Sequence, residues 1–152
     1  MAVERIKAVP EAACAYAAGL IDGEAWIGVT RNPQRRHSYS VCVRINMTEP
    51  APVRFMHRTF GGRFVGARQR EPKRRPVYEW DFSGIALATL LARVLPYLQG
   101  KRTLAKVAMA FTRRLRMGKL VTAEEALIRE NLFHTMRGLV KQRGKNRARL
   151  RK

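Results

Sequence analysis

Two acids separated by a single glycine, Asp22-Gly23-Glu24, close a run in which every residue from Ala12 to Gly19 except Tyr16 is small. Carboxylate oxygens beside a glycine carbonyl, which no side chain shields, form a hard-oxygen donor set of the kind Mg²⁺ takes. The chemistry such a set serves best is hydrolysis at a phosphate, where a divalent cation supplies charge stabilisation. On residue type alone, the two acids are equally well a solvated helix end. The other residues with chemical potential are dispersed. His37, His57 and His134 show no HxH or HxxxH spacing, and Cys14 and Cys42 show no metal-like or disulfide-framework spacing. A zinc-dependent or HNH-type nuclease is disfavoured.

The small-residue run is itself unusual as a helix. Glycine in a helix interior costs about 1 kcal/mol relative to alanine, so Gly19 is best explained by close approach of another backbone. Helices meeting on small residues approach nearer than the usual ~8–10 Å between axes, and the acids at their ends then converge. Pro10-Glu11 suits a first helical turn, which predicts a helix over 10–22 and a short strand over 26–31 that ends at Asn32-Pro33. Residues 1–9 carry no strong pattern.

Further along, Tyr39, Val41, Val43 and Ile45 alternate with Ser40, Cys42, Arg44 and Asn46, which predicts a strand with one buried and one wet face. A short helix with Val53, Phe55, Met56 and Phe60 follows, closed by Gly61-Gly62 as a cap and turn. A strand over 63–70 and another with Tyr78, Trp80 and Phe82 inward and Val77, Glu79 and Asp81 outward flank a charged, proline-bounded loop. Residues 85–95 form an apolar helix stopped by Pro96. A second amphipathic helix carries Leu104, Val107, Ala108, Phe111 and Leu115. The last opens on the capping box Thr122–Glu125, with Ile128, Leu132, Met136, Leu139 and Val140 as its stripe and Gly144 as its end.

At 152 residues and 46% apolar, the chain makes one domain with a real core. Its 31 basic residues against 11 acidic ones leave a formal charge of +20. Such an excess repels itself in the folded state and points to a polyanionic partner, with nucleic acid first and a ribosome-like site or an anionic membrane surface as the plainer alternatives. No signal core and no apolar stretch of membrane-spanning length is present, so the expectation is an intracellular protein with no membrane partner, cytoplasmic or organellar. The domain is expected over 1–142. The segment 143–152 belongs to a tail with seven basic residues in the last twelve, expected to be disordered until it meets phosphate.

The string Ala17-Ala18-Gly19-Leu20-Ile21-Asp22-Gly23-Glu24 resembles the LAGLIDADG motif of homing endonucleases, with Ala17 for the first Leu, Gly23 for the second Ala and Glu24 at the acidic position. The resemblance extends over roughly 10–142 through the order of elements and through Pro96-Tyr97-Leu98-Gln99-Gly100-Lys101, similar to the family's PYL-x-x-K segment. It implies an α+β fold, αββαββα, with an antiparallel DNA-binding sheet and extra C-terminal helices. One motif per chain implies a homodimer whose motif helices pair along the twofold through Ala15, Ala18 and Gly19, with Asp22 supporting the interface. It further implies Mg²⁺ held by Glu24 and the Gly23 carbonyl, Lys101 as the cation near the scissile phosphate, and a polar residue after the second strand. At that last position the best alignment gives Met47, so Asn46 or Thr48 takes the role after a one-residue shift, or the protein binds without efficient cutting.

The expected substrate is a long, near-palindromic stretch of double-stranded DNA. Thr30, Asn32, Ser38, Ser40, Arg44, Arg68, Arg70 and Glu79 are the candidate readers, arginine suiting guanine and glutamate cytosine. Any one of them is as well a phosphate or surface contact. The alternatives are a catalytically silent DNA-binding regulator or an RNA maturase on the same fold, and a ribosome-associated basic protein.

Overall fold

The computed structural model describes residues 1–69, 72–115 and 121–149, with side chains through residue 145 in the last stretch. Its order is α1 (Ala2–Lys7), α2 (Glu11–Glu24), β1 (Ala25–Arg31), β2 (Tyr39–Met47), α3 (Pro50–Phe60), β3 (Arg63–Arg68), β4 (Val77–Ser83), α4 (Leu87–Val94), a 3₁₀ turn (Leu95–Tyr97), α5 (Arg102–Arg114) and α6 (Ala123–Arg149). This is the expected α+β succession of helix, two strands, helix, two strands, helix and further helices. One element, α1, has no counterpart in the sequence reading. It is a six-residue helix that buries Ile6 against the core.

The strands form one antiparallel sheet in the order β1-β2-β4-β3. Alternation decides its two faces, since side chains one residue apart point opposite ways. Tyr39, Val41, Val43 and Ile45 of β2 and Trp80 and Phe82 of β4 are buried beneath the helices. Ser40, Arg44 and Asn46 lie on the opposite, open face. Between Val65 and Arg68 the β3–β4 register slips, so that Arg68 rather than Ala67 pairs with Val77. Such an irregularity re-aims every later side chain, and here it puts Arg68 on the open face. Arg70 lies outside the described residues.

The helix ends follow local chemistry. Gly61, at φ +83°, caps α3 with its N–H donating to the His57 carbonyl. The Thr122 Oγ1 accepts the Glu125 N–H at 3.1 Å, as the capping box requires. α6 differs from expectation at its other end. It continues through Gly144 to Arg149, so 143–149 are helical rather than an irregular tail. Its apolar stripe is centred on Phe133 and Met136, with Leu132, Leu139 and Val140 half-buried. No helix among the described residues is long and apolar enough to cross a membrane.

Candidate active site and nucleic-acid interface

The motif helix α2 buries Cys14, Ala17, Ala18 and Ile21, spaced i, i+3, i+4, i+7 as one face of a helix. Ala18 is therefore part of the chain's own core, fully buried, and does not lie on the outward face expected to meet a second chain. The outward face carries Ala12, Tyr16, Gly19 and Gly23, with Ala15 half-buried. Because nearly every residue in the run is small, size gave no clue to which face turns inward. A Cβ added at Gly19 or Gly23 would meet nothing within 4 Å. The protomer itself thus has no packing reason for a glycine at either place.

α2 passes into β1 without a loop: Glu24 is the last helical residue and Ala25 is already extended, at ψ 145°. The last carbonyls of a helix lack intrahelical donors and form its negative end, and α2 has no basic residue in its own last turn. Lys101 supplies the missing donors. Its Nζ donates to the carbonyls of Ile21 at 2.5 Å, Ala25 at 2.6 Å and Asp22 at 2.9 Å, and the residue is 8% exposed. Those contacts differ from the expected phosphate-facing cation. They make Lys101 the group that finishes the motif helix and sets the position of Glu24.

Asp22 faces the same segment. Its carboxylate accepts N–H groups from Gln99 at 2.6 Å, Gly100 at 3.2 Å and Lys101 at 2.8 Å. It therefore fastens the turn before α5 rather than standing beside Glu24 as a second open carboxylate. Glu24 and Gly23 are exposed. Gly23 borders a half-open cleft of about 520 Å³ whose walls include Asp22, Trp26, Lys101 and Arg143. Arg143, from the stretch of α6 expected to be irregular, donates to the Gly100 carbonyl, so the end of α6 lies at the motif end. No group of three or more His, Cys, Asp or Glu side chains that would hold a metal occurs among the described residues.

The register places the residues at the end of β2. Ala25 pairs with Ile45, which brings the next residue of β2, Asn46, beside the α2–β1 junction. Asn46 is exposed on the open face, whereas Met47 is half-buried and packs against the core. Asn46 thus stands on the open face at this junction, and Met47 packs inward.

On the open face, Thr30 pairs with Ser40 and its Oγ1 donates to the Ser40 carbonyl at 3.4 Å. Ser38 is half-buried, and its carbonyl accepts the Asn32 N–H in the β1–β2 connection. The Asn32 Oδ1 accepts the Gln34 N–H at 2.9 Å, so Asn32 helps to shape that turn. Glu79 is 9% exposed and its Oε1 accepts from Arg63 at 2.8 Å, which makes it a partner of arginine rather than an outward acceptor for cytosine. The sequence reading did not single out Arg63. Its signal is the register that sets it opposite Asp81. Burial, then the neighbouring Asp81 carboxylate, pushes the Cys42 thiol up to about 11, so this sulfur stays protonated and packs as an apolar group.

A four-stranded antiparallel sheet with helices on one face, entered directly from a helix that ends in an exposed carboxylate, defines an α+β fold. No family model matches the chain, and no curated protein matches it in sequence. Solved structures do match. The homing endonuclease I-CvuI, in complex with its target in the presence of 2 mM Ca, superposes with a TM-score of 0.69 at 21% identity over 85% of this chain and 82% of that one. The archaeal intron-encoded homing endonuclease I-Vdi141I, complexed with DNA, gives 0.68 at 13% identity over 82% of each chain. A further homing endonuclease, I-TnaI, gives 0.53 at 18% identity over 81% of this chain and 86% of that one. The chain has the LAGLIDADG homing endonuclease fold, the fold that the motif in α2 implied.

Proposed function

We propose that this protein is a site-specific DNA endonuclease of the homing type. It acts as a homodimer that hydrolyses both strands of a long, near-palindromic duplex with the help of Mg²⁺. The observation that carries the reading is the exposed Glu24, fixed at the helix–strand junction by Lys101 and lying where the open face of the sheet begins. Carboxylate and carbonyl are the oxygen donors that Mg²⁺ accepts, and this ion commonly uses one or two protein oxygens together with substrate phosphates. Glu24 and the Gly23 carbonyl fit that requirement, with the DNA phosphate completing the set. When bound, the ion would neutralise charge at the scissile phosphate and polarise the attacking water.

The chain's own residues have separate tasks. Lys101 and Asp22 keep the end of α2 in place, which is a positioning role. Asn46, at the same end of the sheet, is the hydrogen-bonding group available to orient water or a phosphate oxygen. The exposed face of α2, through Ala12, Ala15, Gly19 and Gly23, joins the second protomer and sets the two Glu24 side chains side by side. The sheet face reads DNA.

A catalytically silent regulator with this fold is favoured by one observation. Asp22 is fully engaged by backbone N–H groups, so each protomer offers a single open carboxylate. One assay separates the two readings: incubation with Mg²⁺ and a duplex made by rejoining the DNA that flanks the coding region. Cutting at one position supports the endonuclease. Tight binding with no cutting at any Mg²⁺ concentration supports the regulator.

A further inference from the structure

One row of the open face crosses all four strands: Trp26 pairs with Arg44, Arg44 with Asp81, and Asp81 with Arg63. Glu79 lies on the same face two residues before Asp81. Arg63 donates to Glu79 at 2.8 Å and lies 3.7 Å from Asp81, while Arg44 lies 3.9 Å from Glu79 and 3.8 Å from Asp81. The four side chains are layered. Glu79 and Asp81 form the floor, with side chains 11% and 17% exposed, and the arginines lie above them, 39% and 54% exposed.

The charge of this quartet is zero in a chain of formal charge +20. Phosphate is attracted by net positive charge, and a neutral quartet supplies little of it. What the quartet presents outward is a pair of guanidinium forks held by carboxylates from below. Planar, pre-positioned forks suit the O6 and N7 acceptors of guanine in the major groove. The Arg44 Nε and the Asp81 Oδ1 are both buried, 3.8 Å apart, with no hydrogen-bond partner within the protein, so the exposed part of Arg44 is the distal end of its guanidinium.

We infer that Glu79 and Asp81 are specificity-determining positioning residues, which hold Arg44 and Arg63 outward as a pair of guanine readers. The inference rests on the DNA-reading function proposed above. It also reverses the simplest reading of Glu79, whose carboxylate acts through arginine and not on a base.

The test is enrichment of bound sequences from a pool of randomised duplex DNA in buffer without Mg²⁺, with the wild-type protein, Glu79→Gln and Arg63→Gln. The wild type is expected to show a guanine preference of about tenfold or more at the positions read by the pair. Arg63→Gln loses that preference at one position and leaves the rest of the profile in place. Glu79→Gln loses it at the same position, yet binds unselected duplex several-fold more tightly with a steeper salt dependence, because the quartet then carries one net positive charge. A purely structural Glu79 would weaken all sequences in parallel, and that result overturns the inference. So does a profile unchanged in Arg63→Gln, a variant at an exposed side chain that keeps the test valid if Glu79→Gln folds poorly. A wild-type pool that enriches no sequence overturns site-specific reading and this inference together.

Discussion

Lys101 and Asp22 each hold the other's backbone: the Asp22 carboxylate accepts the Lys101 N–H at 2.8 Å, while the Lys101 ammonium donates to the Asp22 carbonyl at 2.9 Å. The two motifs noted in the sequence, 79 residues apart at these positions, are therefore one structural unit. Removing a partner from a buried polar group costs about 1–3 kcal/mol. Lys101→Met is expected to lower the unfolding free energy by about 3 kcal/mol and Asp22→Ala by about 2 kcal/mol. Groups in one network couple, by ~0.5–3 kcal/mol, so the double variant should lose less than the sum. Urea unfolding of the four proteins measures this, and strict additivity would contradict the clamp.

The face of α2 left open by the protomer makes a sharp distinction at Gly19. In a monomer, Gly19→Ala meets no atom within 4 Å and should stabilise by about 1 kcal/mol through helix propensity alone. Paired through this face, the chain should respond in the opposite way. Gly19→Leu is expected to leave each protomer folded while shifting sedimentation at micromolar concentration from dimer to monomer and removing cutting. A dimer undisturbed by Gly19→Leu would place the interface elsewhere.

Trp26 packs over Gly28, and a Cβ on Gly28 would lie 1.9 Å from the indole Cζ2. Gly28→Ala must therefore lift the ring from the strand, at a cost of about 1–3 kcal/mol. Trp80 is fully buried and Trp26 is 38% exposed. The emission of Gly28→Ala should shift to the red relative to the wild type. An unshifted spectrum with unchanged stability would show that the ring is not held there.

Acid should loosen α6 before it unfolds the sheet. Hydrogen bonding from Tyr39 and the nearby Arg31 guanidinium hold the Glu130 carboxyl below its ordinary value, against a smaller effect of burial. At Glu125 burial pushes upward, but hydrogen bonds from Arg129 and Arg114 outweigh it and the net direction is also downward. A carboxyl depressed in the folded state contributes stability above its unfolded pKa, which is lost as pH falls through the folded one. Amide exchange in the first half of α6 should accelerate below about pH 4 while the β2–β4 amides stay protected. Uniform acceleration in both would contradict local anchoring by these two acids.

The order of elements was legible because periodicity and stop signals carry it: alternation in β2, Gly61-Gly62 after α3, Pro96 after α4, Thr122–Glu125 before α6. Other features left weaker marks. A helix as short as α1, with one buried residue, has no period to detect. In α2 the inward and outward faces are both built from small residues, so Ala18 could not be told from Gly19 by size. The ammonium of Lys101 and the carboxylate of Glu79 looked like free charges because their partners are backbone carbonyls at the α2–β1 junction and a side chain of β3, contacts that only the tertiary fold creates. That Met47 packs inward while Asn46 faces out follows from pairing register, which a one-residue shift reverses.

Under the proposed function, Glu24 holds the divalent ion at the end of α2. The most direct test of that role compares Glu24→Gln with the wild type on the same duplex target, measuring binding without Mg²⁺ and strand cleavage with it. Unchanged affinity with cleavage reduced at least about a hundredfold is the predicted result. Cleavage at the wild-type rate by Glu24→Gln would contradict it.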